Sequence, residues 1–135
     1  MERLEIQATK ENLLEVSAFI EGYLESIDCP MKAMMQISVA VEEIFINIAS
    51  YAYGEGSGMA EILIDHNQAD NSVDITFMDR GVPYDPLAKE DPDITLPAEE
   101  RTIGGLGIFM GKKSMDDLKY KYEDGKNVLT IIKKL

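Results

Sequence analysis

Hydrophobic positions along this chain fall into blocks whose period switches between two and about 3.6 residues, the spacings of strand and helix. Leu4 and Ile6 alternate with Arg3 and Glu5, which predicts a first strand over Glu2–Gln7. Thr9 is placed to cap a helix in which Leu13, Ser17, Ile20, Leu24 and Ile27 recur at steps of three and four. Cys29 and Pro30 end it, because the residue before a proline is pushed out of the helical region. A second helix is predicted from about Met31 to Tyr51. Its core stripe is Met34, Ile37, Val41, Ile44 and Ile48; a second stripe of Gln36, Ala40, Glu43, Asn47 and Tyr51 runs beside it.

After a glycine-rich turn at 54–58 the period returns to two. Ala60, Ile62 and Ile64 face opposite Glu61, Leu63 and Asp65 in one strand. A polar turn at 67–71 leads to a second strand, with Val73, Ile75 and Phe77 opposite Asp74, Thr76 and Met78. Asp79, Arg80, Gly81, Val82 and Pro83 stop it. Residues 85–102 have no period and contain three prolines, the pattern of a long functional loop. Gly104, Gly105, Leu106 and Gly107 then open a third helix, and strands at 118–122 and 127–133 flank the tight-turn pair Asp124-Gly125. The order predicts one α+β domain over 1–135: a two-layer sandwich, its sheet mixed but mostly antiparallel, with three helices on one face. Too few crossover helices are present for a Rossmann sheet.

Composition narrows the function. A net charge of -12 argues against non-specific nucleic-acid binding and against anionic membrane surfaces. No apolar run approaches a membrane span and no basic-apolar leader opens the chain. The single cysteine, Cys29, fits a reducing cytoplasm, and with one histidine, His66, a structural zinc site is disfavoured.

Three segments carry candidate chemistry. Glu43 and Asn47 are four residues apart on a helix and point the same way. A carboxylate at a core edge has a raised pKa and suits a general base, and an amide oxygen one turn on suits Mg²⁺. The same pair also reads as the solvated edge of an amphipathic helix. Asp79, ending an apolar strand, could accept a hydrogen bond from an exocyclic amine such as that of adenine, with Gly81 letting backbone approach the ring; an Asx turn is the plainer reading. Gly104, Gly105 and Gly107 at a helix start offer unobstructed backbone N–H groups to an anion, or are simply a flexible connection. Thr130, between Leu129 and Ile131, could reach a base or merely suit a strand.

Taken in order, these segments resemble the anti-sigma-factor serine kinases of the GHKL ATPase superfamily. The stretch 40–53 resembles that family's N box, with its general-base Glu falling on Glu43 and its Mg²⁺-holding Asn on Asn47. Residues 79–86 resemble the G1 box, whose adenine-reading Asp falls on Asp79 and whose close-approach glycine falls on Gly81. Gly104, Gly105, Leu106 and Gly107 resemble the G2 box that closes over the phosphates, and Thr130 matches a threonine near the adenine pocket. The resemblance implies a Bergerat ATP-binding fold with an ATP lid at about 86–103, and ATP and Mg²⁺ as cofactors. It further implies a cytoplasmic kinase that acts as an anti-sigma factor and phosphorylates a serine on a small anti-anti-sigma-type protein. A sigma factor would be the second partner, and a homodimer paired through the sheets is consistent with the family. Two departures stand out: Tyr51 replaces the histidine many members carry, and the lid is acidic. A non-catalytic nucleotide-binding anti-sigma module and an interaction domain without nucleotide are the alternatives.

Overall fold

The computed structural model describes residues 1–53, 56, 58–83 and 114–135. Strand β1 (Glu2–Gln7) leads through a short 3-10 turn into helix α1 (Leu13–Ser26), then helix α2 (Met31–Asn47), strands β2 (Met59–Asn67) and β3 (Ser72–Asp79), and the closing pair β4 (Asp117–Glu123) and β5 (Lys126–Lys134). The sheet order is β1-β2-β3-β5-β4. All four ladders are antiparallel, so the expectation of a mixed sheet is corrected among the described strands. The helix expected to open at Gly104 lies outside the described residues, as does the segment 86–103.

Alternation fixes the layers. In β3, Val73, Ile75, Phe77 and Asp79 are buried on one face, and in β5 Asn127, Leu129 and Ile131 are buried on the same face. The helices cover that face with Val16, Ile20 and Leu24 from α1 and Ile37, Ala40, Val41, Ile44 and Phe45 from α2. Fully burying one of these valine, leucine, isoleucine or phenylalanine side chains is worth roughly 1.5–3 kcal/mol. Val16 rather than Ser17 completes the α1 stripe, and Met34 packs only at the core margin.

Helix ends differ from the sequence reading in instructive ways. α1 stops at Ser26, three residues before Cys29: the amides of Ile27 and Cys29 both turn back to the Leu24 carbonyl, and Asp28 takes φ 56°. Pro30 then sits at the start of α2, where its missing N–H costs nothing. α2 ends at Asn47 and continues as a wider, π-helical turn over Ile48–Ala52. On length and composition alone, Met31–Ala52 could cross a membrane; here Ile37, Val41 and Phe45 of that stretch are fully buried in the core. Asp124 and Gly125 both have positive φ, 54° and 74°, as a two-residue hairpin turn matching strand twist requires.

Candidate functional site

The π-helical turn, the end of β3 and the start of β5 converge on one cavity of about 80 Å³. One wall is Ile44, Asn47, Ile48, Tyr51 and Ala52; Phe77, Asp79 and Val82 form the second, and Tyr120, Asn127 and Leu129 the third. Apolar side chains dominate, with a few polar groups converging, which is the usual construction of a small-molecule site.

Asp79 is 7% exposed at the end of β3. Its Oδ1 accepts from the Gly81 N–H at 2.9 Å and from Asn127 Nδ2 at 3.0 Å. The first bond is the Asx turn anticipated from sequence, so turn and site coexist in one residue. Both bonds fall on Oδ1, which leaves Oδ2 for a ligand donor.

Gly81 is pressed against the π-helical turn. A Cβ added there would lie 2.6 Å from the Ala52 Cβ and would overlap the Ala52 carbonyl. That carbonyl accepts from the Val82 N–H at 2.9 Å. Tyr53 fastens the same junction: its hydroxyl donates to the Met59 carbonyl at 2.6 Å and accepts from the Arg80 N–H at 2.9 Å. These contacts hold the end of the helix beside the segment that presents Asp79.

Asn47 lines the cavity, and its Nδ2 is buried without a hydrogen-bond partner among the described residues. Ser50 Oγ, in the π-helical turn, is in the same condition. A buried, unpartnered amide costs about 1–3 kcal/mol, so a partner beyond the described residues, whether protein, water or ligand, is expected for it. Glu43 lies one turn before Asn47 and is half-buried. Burial, and secondarily the neighbouring Glu42, push its carboxyl above the ordinary glutamate range. That matches the raised pKa expected from its place at the core edge.

The structure therefore brings Asn47, Asp79 and Gly81 together and places Glu43 one turn away. It does not bring Thr130 there. Strand alternation turns Thr130 to the opposite face of the sheet, where its hydroxyl pairs with that of Thr76 at 3.0 Å. The assignment of Thr130 to the base pocket is thus corrected: the polar β5 residue at the pocket is Asn127, three positions earlier and in phase with Leu129 and Ile131. The alternation itself carried the signal. Gly104, Gly105, Leu106 and Gly107 lie outside the described residues.

No group of three or more His, Cys, Asp or Glu side chains able to hold a metal occurs among the described residues. Mg²⁺ keeps most of its waters and needs few protein ligands, so a single amide beside bound phosphates suffices. Asn47 Oδ1, on the cavity wall, would supply that oxygen; the unpartnered Nδ2 is a donor suited to a phosphate or other acceptor oxygen rather than to the cation.

Over residues 6–133 the sequence matches the family described as the histidine kinase-like ATPase domain. Similar proteins include the serine-protein kinase RsbW of Bacillus cereus (strain AH820), 29% identical over 138 residues, which cover 96% of this chain and 85% of the relative. Serine-protein kinase RsbW of Listeria monocytogenes serovar 1/2a is 29% identical over 103 residues, 73% of this chain; the match spans 64% of that relative's length. A crystal structure of the RsbU and RsbW domains of Rv1364c from Mycobacterium tuberculosis aligns with TM-score 0.65 at 16% identity, covering 100% of this chain and 33% of that one. The latter likeness is one of fold. With its match spanning nearly the whole chain, this protein belongs to the histidine kinase-like ATPase family.

Proposed function

We propose that this chain is an ATP-dependent serine protein kinase of the anti-sigma-factor type. It would act in the cytoplasm on a small anti-anti-sigma-type protein and bind a sigma factor as its second partner. The observation that carries the reading is one cavity walled by both Asp79, with Oδ2 outside its internal bonds, and Asn47, with an unpartnered amide. Membership of the ATPase family and likeness to the RsbW serine-protein kinases support it.

In this reading Asp79 Oδ2 accepts from the exocyclic amine of adenine, while Ile44, Ile48, Phe77 and Leu129 pack on the ring. Asn47 would hold Mg²⁺, which when bound neutralises phosphate oxygens. Glu43, with its raised pKa, accepts the proton of the substrate serine hydroxyl as that oxygen takes the terminal phosphoryl group and ADP leaves. Gly105 and Gly107 belong to the phosphate end by their resemblance to the G2 box.

The test is calorimetric titration with ATP, ADP and GTP, with and without Mg²⁺, on the native chain and on Asn47→Ala and Glu43→Ala. Adenine-selective binding is expected, with its Mg²⁺ dependence lost in Asn47→Ala. Glu43→Ala should bind ATP yet fail to label an anti-anti-sigma-type protein from [γ-³²P]ATP. Absence of nucleotide binding in the native chain would end the kinase reading.

A further inference from the structure

Asn127 sits directly opposite Asp79 in the β3–β5 ladder, and both are buried, at 6% and 7% exposure. Its amide has one orientation that satisfies its neighbours. Nδ2 donates to Asp79 Oδ1 at 3.0 Å and to the Val82 carbonyl at 2.8 Å, using both of its hydrogens on acceptors. On the other side the Tyr120 hydroxyl donates to Asn127 Oδ1. Exchanging the amide's oxygen and nitrogen would set oxygen against oxygen at Asp79 and Val82, and Tyr120 is the donor that opposes it. The order is thus directional: Tyr120 hydroxyl to Asn127, Asn127 to Asp79. Together with the Gly81 N–H, the amide fills Oδ1, so the carboxylate meets a ligand through Oδ2 alone.

We infer that Asn127, oriented by Tyr120, is the positioning residue that sets nucleobase selectivity, by locking Asp79 so that it presents a lone acceptor to the base. This rests on the nucleotide-binding reading above. A base with an amine at that edge gives Oδ2 a hydrogen; a base with a carbonyl there sets two acceptors face to face and leaves both unpaired. Without Asn127 the carboxylate turns about its terminal torsion. A water then enters and bridges to a carbonyl, so discrimination relaxes.

The experiment compares ATP with ITP, which differ at this edge in amine against carbonyl, by calorimetry on the native chain, Tyr120→Phe and Asn127→Ala. The native chain should prefer ATP by at least about tenfold, as a site built around a substrate N–H rejects the analogue lacking it. Tyr120→Phe, which removes one hydroxyl and keeps the ring, should cut the ATP:ITP ratio by about threefold or more, and Asn127→Ala should bring it near unity. The ratio is the readout, because a merely structural role would weaken both nucleotides together. An unchanged ratio in Tyr120→Phe, with ATP still bound, overturns the inference and leaves the nucleotide site standing. A native chain that binds neither nucleotide removes both.

Discussion

Replacing Gly81 with alanine tests the junction on which the site is built. The new methyl would overlap the Ala52 carbonyl and lie 2.6 Å from the Ala52 Cβ. Backbone lies on one side of that contact, so no side-chain rotation relieves it. Forcing a methyl into a packed position costs about 1–3 kcal/mol. Separating the π-helical turn from the segment after β3 also breaks the Val82 N–H to Ala52 carbonyl bond, worth about 1 kcal/mol. The sum is about 2–4 kcal/mol. For 135 residues the unfolding entropy is about 0.28 kcal/mol/K, so Tm should fall by roughly 7–14 °C. Differential scanning calorimetry at pH 7 reads this directly. A fall of less than about 2 °C, with ATP affinity unchanged, would refute the account of Gly81 as a close-approach residue.

The other predictions concern single, separable terms. Gly22 lies inside α1 with nothing within 4 Å of an added Cβ, so Gly22→Ala should gain helix propensity and raise Tm by about 3 °C; no rise would mean the helix is not formed as described. Asp74 faces Asp65 across the β2–β3 ladder, and burial first, then Asp65 and Asp70, hold its carboxyl above the usual aspartate range. Asp74→Asn should therefore raise Tm at pH 7 by roughly 1–3 °C, and a decrease would contradict the repulsion. Glu43 has a folded-state pKa above its unfolded one, so its proton stabilises the fold at low pH, and that stability drains away as pH climbs through the raised value. Glu43→Gln should thus melt higher than the native chain at pH 7, with the gap closing toward pH ~4; a gap independent of pH would show that desolvation of Glu43 is not the cause.

Much of the site was legible because side-chain period and chemistry agree there. Asp79 closes an alternating strand, and Glu43 and Asn47 share a helix face, so phase alone aims them at one place. The apolar neighbours of Thr130 and the family pattern both suggest a place at the base, but Leu129 and Ile131 face the core, so the residue between them faces away and simply suits the strand. The phase of Asn127 with Leu129 and Ile131 is legible in the alternation, but its partners are 48 and 7 positions distant, and no local spacing announces those tertiary hydrogen bonds. The π-helical turn was also invisible. Ile48–Ala52 has no glycine or proline to mark it, and its wider winding goes with contacts made to Gly81 and Val82. Strand direction followed the same rule: β1 meets β2 only after both helices have crossed, so packing rather than pattern decides that it runs antiparallel.

β5 comes last among the described strands in sequence but lies inside the sheet, between β3 and β4. During synthesis, β1, both helices, β2 and β3 emerge while the inner edge of β3 still lacks its neighbour. That exposed edge carries Phe77 and Asp79, whose ladder partners are Leu129 and Asn127. In the proposed nucleotide-binding reading, ligand competence follows pairing of β5 with β3, and a nucleotide bound to the finished pocket would stabilise that insertion rather than any earlier step. In that reading, a nascent chain held on the ribosome before residue 127 would have most of its hydrophobic core but not the Asn127 and Leu129 wall of the pocket, which separates folding of the bulk from completion of the site in time.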